Sequence, residues 1–221
     1  MFSDVFKNVN FPSYADYVKL QVSKVNKDGQ KKKGGLSWEY NIQKQVKPDL
    51  VDWVKRFKPP EDTSNILVLG ARWGADVLFL KEGGYSCPIV AIDLYDPPLS
   101  ELVQTGDAHY LNRCGISSKS IQLIWAYHVI EHLWSPSRVL HSLLTFSDKN
   151  TKFLVALPSF DSRDKYDAQD EYANKNEWEA LLFSCGWRIL AYDERLIKNK
   201  KLPAHFYILV PNEAQAYHFI W

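Results

Sequence analysis

The sequence has few cysteines, almost no net charge and no long apolar run, and each shortage narrows the class of protein. Its three cysteines, Cys87, Cys114 and Cys185, lack metal-site spacing, so we expect reduced thiols in a cytoplasmic compartment. A formal net charge of +1 gives no general attraction to nucleic acid or to an acidic membrane. The apolar runs fall far short of the ~20 residues that span a bilayer. Asp4 and Asn8 interrupt the amino terminus, which predicts no signal peptide.

The pattern of apolar residues changes near residue 60. Residues 13–25 begin with a capping serine and repeat apolar side chains at helical spacing, which predicts a short helix. The polar, basic stretch NKDGQKKKGG that follows predicts a mobile connector. Because such lysine runs are usually solvated, we expect no nucleic acid partner. We therefore divide the chain into an N-terminal helical cap with a basic connector, residues 1–60, and a main domain, residues 61–221.

From residue 65 onward, apolar runs of strand length alternate with stretches of helix length. The runs are NILVLG, PIVAIDL, SIQLIWAY and TKFLVALP, and the tail adds a helix and two further strands, the last one antiparallel. Continuous apolar strands separated by helices indicate a parallel sheet covered on both faces. The sequence thus predicts an α/β fold, a doubly wound, Rossmann-like, mostly parallel sheet of about seven strands with an N-terminal helical cap.

The turn GARWG after the first of these strands lies where such sheets bind ligands, outside the carboxyl ends of the strands. Gly70 lets the backbone approach a ligand, and Gly74 lets the next helix pack closely. Asp93 ends the second strand, about twenty residues after this turn. An acid at that position commonly accepts hydrogen bonds from ribose hydroxyls. Arg72 replaces the glycine that admits a pyrophosphate, which disfavours a dinucleotide. An adenosine-containing ligand is favoured, and a tight turn without a ligand is the alternative.

Two later segments extend this pattern into a family resemblance. Asp107 and Ala108 follow a short third strand, where the acid can accept the amino group of adenine, and the fourth strand ends at Tyr127 before HVIEHL. With VLGARWG, AIDL, GDAH and YHVIEHL in this order, the chain resembles the class I S-adenosylmethionine-dependent methyltransferases, of the methyltransferase type 11-like kind. The likeness covers about residues 62–210.

The resemblance implies S-adenosylmethionine as cofactor and also shows departures from the family pattern. The cofactor-binding residues that it implies are Gly70, Gly74, Asp93, Asp107, Ala108 and Tyr127. Val68 stands where the family has an acid, Arg72 where it has a glycine and Gln122 where it has an aspartate. One compensation is that Arg72 pairs with the methionine carboxylate while Asp76 replaces the missing acid; the alternative is that both side chains point into solvent. The departures also leave open a non-catalytic methyltransferase-like module that has lost cofactor binding.

The segment HVIEH allows three interpretations. His128, Glu131 and His132 lie at i, i+3 and i+4, so a helix would place them on one side. They could hold a divalent metal, or His128 or His132 could be the catalytic base, or the segment simply starts a helix. A histidine base fits removal of a hydroxyl proton near neutral pH. We expect direct methyl transfer to the hydroxyl of a small molecule or a saccharide, with no membrane partner.

Overall fold

Six α-helices and seven strands make up the described part of the chain. This computed structural model describes residues 13–31, 35–158, 174–196 and 203–212. The strands are β1 (Ile66–Leu69), β2 (Ile89–Asp93), β3 (Gln104–Thr105), β4 (Ile121–Tyr127), β5 (Ser147–Pro158), β6 (Trp187–Leu196) and β7 (Pro203–Pro211). The helices are α1 (Tyr14–Lys31), α2 (Gly35–Gln43), α3 (Lys47–Lys55), α4 (Ala75–Glu82), α5 (Pro136–Phe146) and α6 (Lys175–Ser184).

The strands form one sheet in the order β3-β2-β1-β4-β5-β7-β6. Strands β1 to β5 pair in parallel, whereas β7 is antiparallel to both of its neighbours, β5 and β6. The prediction of a doubly wound, Rossmann-like, mostly parallel α/β sheet is therefore confirmed. The strand order reverses between β1 and β4, and a crevice opens outside the carboxyl ends of strands at such a point. The topology alone therefore places a ligand site beside the loops after β1 and β4.

Helices cover both faces of the sheet, which explains why the strands are apolar without alternation. All four residues of β1 are buried. Leu140 of α5 and Trp178 of α6 pack in the core on one face, and Leu50 of α3 and Phe79 of α4 pack on the other. Each such side chain contributes about 1.5–3 kcal/mol when it is fully buried. The two cores hold the strand ends, and with them the loops of the site, in fixed positions.

The N-terminal helices differ from the sequence prediction in one respect. Helix α1 continues to Lys31, so much of the stretch predicted as a connector is helical. Lysine and glutamine are good helix formers, and a polar composition therefore does not end a helix. Two shorter helices follow, α2 and α3, and Pro48 lies in the first turn of α3. The domain division at residue 60 stays a prediction. None of the helices in the described ranges is long and apolar enough to cross a membrane.

Candidate functional site

A cavity of about 300 Å³ lies at the carboxyl ends of β1, β2 and β4. This volume is at the lower end of the range for small-molecule sites. The predicted site residues that line it are Gly70, Arg72, Asp93, Asp107, Ala108, His128 and His132. Tyr17 and Gln21 of α1 line it as well, which the sequence did not predict. Gly74 and Tyr127 do not line this cavity.

The two loop glycines have different structural tasks. Gly70 has φ +61°, and a Cβ atom there would lie 2.5 Å from Cγ2 of Val129. No side chain fits between the loop and Val129, so the backbone of Gly70 itself forms the cavity wall. Gly74 has φ +89°, and its Cβ would lie 2.9 Å from Cβ of Leu102. Gly74 therefore makes room for the connection between β2 and β3 at the start of α4, and its contribution to the site is indirect.

Asp93 holds the loop between these glycines. Its Oδ2 accepts the backbone N–H of Arg72 at 2.8 Å, and its Oδ1 accepts the N–H of Leu94 at 2.7 Å. Burial raises the pKa of Asp93, although these two hydrogen bonds and the charge of Arg72 oppose that rise. Each carboxylate oxygen has a second lone pair that remains available to a ligand donor. Asp93 can thus fix the loop and accept ribose hydroxyls together.

Asp107 is engaged by three donors from two parts of the chain. Its Oδ1 accepts the backbone N–H of His109 at 2.9 Å and lies 3.0 Å from His109 Nδ1. Nε2 of His109 accepts the N–H of Ser135, so Nδ1 carries the proton and donates to Asp107. The hydroxyl of Tyr14 donates to Oδ2. Burial opposes ionisation of Asp107, but the hydrogen bonds from His109 and Tyr14 outweigh it and lower the pKa.

The loop after β4 holds His128 in an uncommon backbone conformation. His128 has φ +56°, and its N–H donates to the carbonyl of Ala156 at 3.1 Å. Its Nδ1 lies 3.0 Å from Oε1 of Glu131, which is buried. Nε2 of His128 and Oε2 of Glu131 are buried and have no hydrogen-bond partner among the described residues. A left-handed residue other than glycine costs of order 1–3 kcal/mol and occurs mainly at functional sites.

The same three residues do not form a metal-binding cluster. Only residues Ile130–His132 are helical, in a single 3₁₀ turn, so the i, i+3, i+4 geometry assumed from the sequence is missing. His132 Nε2 lies 4.0 Å from Glu131 Oε1, and His128 contacts that same oxygen. Across the described residues, no group of three or more histidine, cysteine or acidic side chains could hold an ion.

Asp76 lies behind the loop, in a buried ion pair. Lys47 Nζ donates to its Oδ1, and Trp125 Nε1 donates to the same oxygen at 2.7 Å. The Lys47 ammonium lies 3.8 Å from the ring centroid of Tyr127, whose ring packs edge-on against His128 at 4.7 Å. Asp76 is not part of the cavity wall, so the hypothesis that it replaces the acid missing at Val68 is wrong. The alternative is equally wrong, because Asp76 is buried.

Glu39 of α2 supports the same loop from the other side. Its Oε2 accepts the backbone N–H of Ala75, the first residue of α4, at 3.3 Å. Burial, together with the negative charge of Asp76, raises the pKa of Glu39 to about 7, while Lys47 and Arg72 limit the rise. The sequence did not single out Glu39, because nothing in its local pattern distinguishes a buried glutamate from a solvated one.

Gln122 lies at the amino end of β4, away from the cavity. Its Oε1 accepts from Lys58 Nζ at 2.8 Å, and its Nε2 donates to Asp148 at 2.9 Å. Parallel strands present their ligand sites at their carboxyl ends, so the departure at Gln122 does not alter the cavity. One of the three departures that suggested lost cofactor binding therefore carries no weight.

A family model described as a methyltransferase domain matches residues 42–198, more than half of the chain. The chain belongs to this family. The resemblance to class I S-adenosylmethionine-dependent methyltransferases is thereby confirmed, and a methyltransferase domain implies S-adenosylmethionine as the cofactor. No curated protein matches the chain in sequence.

Solved structures of similar fold include two methyltransferases and a cyclase. The Burkholderia thailandensis 1,6-didemethyltoxoflavin-N1-methyltransferase, bound to 1,6-didemethyltoxoflavin and S-adenosylhomocysteine, has a TM-score of 0.66 at 12% identity, over 90% of this chain and 89% of its own. The magnesium protoporphyrin IX methyltransferase of Synechocystis PCC 6803, with bound S-adenosylmethionine, has a TM-score of 0.62 at 10% identity, over 91% of this chain and 100% of its own. The [4+2]-cyclase SpnF has a TM-score of 0.52 at 15% identity, over 68% and 60%. At these identities the likeness shows the fold alone.

The groups in the cavity fit the polar parts of S-adenosylmethionine. Asp93 and Asp107 present carboxylate acceptors, which suit hydroxyl and amino donors. Gly70 forms a part of the cavity wall that has no side chain. Only glycine fits at this position, because a Cβ would collide with Val129. Arg72 lines the same cavity, and a guanidinium is a group that suits a carboxylate. The residues that line the cavity therefore include a polar group suited to each end of this cofactor.

Proposed function

We propose that this methyltransferase transfers a methyl group to a hydroxyl of a small molecule or a saccharide, with His128 as the base. The observation that carries the proposal is the pairing of His128 Nδ1 with Glu131 at 3.0 Å, which leaves Nε2 buried and without a partner in the described chain. A buried nitrogen with no hydrogen bond is costly, and its retention at a cavity wall points to a ligand.

Glu131 selects the imidazole tautomer that a base requires. A carboxylate accepts a hydrogen bond from Nδ1–H, which leaves the lone pair of the neutral imidazole on Nε2. His128 lines the cavity, and in this proposal the Nε2 lone pair, which is buried in the structure, meets an acceptor hydroxyl when one is bound there. His132 also lines the cavity, but its Nε2 lies 4.0 Å from Glu131 Oε1, too far for a hydrogen bond. We therefore assign the base to His128 and a contact role to His132.

The remaining residues position the reactants. When bound, S-adenosylmethionine supplies an electrophilic methyl group on a sulfonium. We assign the ribose to Asp93, the adenine to Asp107 and Ala108, and the methionine carboxylate to Arg72. Gly70 forms the wall beside the cofactor, and Gly74 and Tyr127 support the loops from behind. Holding two reactants in line can supply about 7–11 kcal/mol of the barrier reduction, more than any single side chain here.

The base favours a hydroxyl acceptor over an amine. A neutral amine attacks through its own lone pair, whereas an alcohol is a weak nucleophile until its proton is removed. An oriented histidine at the cavity therefore has a task in O-methyl transfer that N-methyl transfer does not require. The structurally similar N1-methyltransferase from Burkholderia thailandensis shows that the fold alone does not fix the acceptor atom.

The test combines an acceptor panel with variants of the base. Phenols, alcohols and monosaccharides are compared with their amine counterparts, and release of S-adenosylhomocysteine is measured. With an accepted alcohol, His128→Ala should lower kcat by about 10²–10⁴-fold and leave S-adenosylhomocysteine affinity nearly unchanged. Glu131→Gln should lower kcat less. His141→Ala, which removes a histidine of α5 outside the cavity wall, is the matched control. Preference for amines, or full activity in His128→Ala, would contradict the proposal.

The alternative function is a module without cofactor. The hypothesis of lost cofactor binding was based on the unusual residues Val68, Arg72 and Gln122. Of these, Gln122 lies at the amino end of β4, away from the cavity, and Arg72 lines the cavity. Asp93 and Asp107, the two acids that we assign to the cofactor, both line the cavity. Calorimetry decides between the two functions, because the module predicts no heat of S-adenosylhomocysteine binding even at millimolar ligand.

A further inference from the structure

Helix α1 reaches across the cavity and binds the carboxylate assigned to adenine. Tyr14, near its amino end, donates its hydroxyl to Oδ2 of Asp107, 93 residues away in sequence. The other oxygen, Oδ1, receives both the backbone N–H and Nδ1 of His109. Each carboxylate oxygen of Asp107 therefore already accepts a hydrogen bond before adenine binds.

The two sets of contacts differ in what holds them in place. His109 follows Asp107 by two residues, and Asp107 is the N-cap of that turn, so these bonds belong to the local backbone. His109 is buried and its Nε2 is fixed by Ser135. Tyr14 comes from a separate helix. Of the three donors, only the Tyr14 hydroxyl can leave without remodelling the loop after β3.

One buried side chain and several ring contacts hold the described part of α1 against the domain. Among the α1 side chains described, residues 14–23, only Tyr17 is buried. Tyr14 makes edge-on ring contacts with His109 at 5.3 Å and with Trp134 at 5.2 Å. Gln21 Nε2 donates to the carbonyl of His132 at a long 3.4 Å. Elements with few buried contacts open at low free energy, and α1 has this character.

We propose that α1 is a closing element over the cofactor cavity and that Tyr14 competes with the adenine amino group for Asp107. In the closed state the Tyr14 hydroxyl occupies Oδ2 while Tyr17 and Gln21 line the cavity. The cofactor binds the open state, in which α1 has moved and the adenine N–H replaces the tyrosine O–H on the same oxygen. The inference rests on the assignment of Asp107 to adenine and is independent of the acceptor.

Competition of this kind lowers the apparent affinity for the cofactor. For a ligand whose amino group needs Oδ2 of Asp107, the measured dissociation constant is the intrinsic one divided by the fraction of molecules in which Tyr14 has left that oxygen. A hydrogen bond between Tyr14 and an ionised carboxylate favours the closed state, and removing it raises that fraction. Tyr14 therefore sets how strongly the protein binds both cofactor and product.

The test removes one hydroxyl at a time from the same aromatic cluster. Tyr14→Phe keeps the ring and loses the bond to Asp107. Tyr110→Phe is the control, because the Tyr110 ring packs against Tyr14 at 5.9 Å but its hydroxyl does not bind Asp107. Calorimetry is done with S-adenosylhomocysteine and with its inosine counterpart, in which a carbonyl replaces the amino donor. Tyr14→Phe should bind S-adenosylhomocysteine roughly ten-fold more tightly and the inosine ligand no better than the parent does.

Several results would overturn the proposal. Unchanged or weaker S-adenosylhomocysteine binding by Tyr14→Phe shows that the hydroxyl does not compete, and an equal gain with both ligands shows that the competition is not for the carboxylate. Equal binding of the two ligands by the parent protein would contradict the assignment of adenine to Asp107. Amide exchange supplies a second measurement in the parent. Exchange of the α1 amides should become faster when S-adenosylhomocysteine binds, and slower exchange would mean that α1 closes on the ligand.

Discussion

Oδ2 of Asp93 accepts the backbone N–H of Arg72 across 2.8 Å and so ties the end of β2 to the loop after β1. Together with the hydrogen bond from Ala71 N–H to the carbonyl of Ile92 at 3.0 Å, it connects the two parts of the site that come from neighbouring strands. It also holds Arg72 in a left-handed conformation, φ +52°, which costs free energy for any residue with a side chain. The acid assigned to the ribose is therefore also the residue that shapes the loop.

Removal of Asp93 should impair both ligand binding and the loop. We expect Asp93→Ala to lose roughly 1.5–3 kcal/mol of S-adenosylhomocysteine binding, about ten-fold or more in affinity, because a charged acceptor is lost. Unliganded stability should fall as well, since the N–H of Arg72 loses its acceptor. Calorimetry and thermal unfolding measure the two effects. Glu101→Gln removes a charge from an exposed site on the same connection and should leave both unchanged. Parent-like affinity in Asp93→Ala contradicts the ribose assignment.

Replacing Arg72 by glycine should weaken ligand binding but relieve backbone strain. We expect Arg72→Lys to weaken S-adenosylhomocysteine binding, since lysine offers a point charge where a guanidinium makes two parallel hydrogen bonds to a carboxylate. Arg72→Gly should weaken it further. Glycine relieves about 1 kcal/mol of left-handed strain but removes a positive charge near Asp93 and Glu39, so stability should change little. If Arg72→Gly binds the ligand as well as the parent, the arginine has no contact with the cofactor.

The general position of the site follows from the sequence because sheet geometry is a strong constraint. Asp93 ends a short apolar run and Asp107 follows the short third strand, and parallel strands bring their carboxyl ends to one edge, so both acids line one cavity. The position of Tyr127 could have been inferred in the same way. Side chains alternate across a strand, so Tyr127 shares the face of Trp125, and both pack beside Lys47 instead of lining the cavity.

Side-chain pairs that join distant segments of the chain could not be predicted from the sequence. Tyr14 meets Asp107, and Lys47 meets Asp76, through contacts between helices and loops whose relative placement no local period encodes. Asp76 shows the consequence most clearly. In sequence it is an acid in the first turn of a helix, which is typical of a solvated position. Only the packing of α3 against α4 shows that it is buried and paired.

The Lys47–Asp76 pair should behave as a buried ion pair in a double-mutant cycle. Lys47→Met leaves a buried carboxylate without its cation, and Asp76→Asn leaves a buried ammonium without its anion, so each should lower the free energy of unfolding by about 3–5 kcal/mol. The double variant should recover most of the loss. The exposed pair Lys55–Asp52 is the control, and Lys55→Met should change stability by less than about 1 kcal/mol. Additive losses in the double variant would mean that the pair is not coupled.

Glu39 should make the protein less stable as the pH rises from about 4.5 to about 7. Burial beside Asp76 raises its pKa from 4.5 to about 7, so the folded state binds this proton more tightly than the unfolded state. Below the lower value both states are protonated and Glu39 has no effect on stability; above the higher value the folded state bears the full penalty, at most about 3 kcal/mol.

Substitution by glutamine isolates this contribution. Glu39→Gln keeps an oxygen that can accept the N–H of Ala75 and removes the titrating group. Urea unfolding of parent and variant between pH 4.5 and 8 should show nearly equal stability at the acid end. The variant should gain stability over the parent as the pH rises, by about 2–3 kcal/mol at pH 8. Lys47 and Arg72 face the same carboxylate and attract its ionised form, so the gain is smaller than burial alone would give. A difference that stays constant across this range would show that Glu39 ionises equally readily in the folded and unfolded chain, and that its place behind the loop carries no electrostatic penalty.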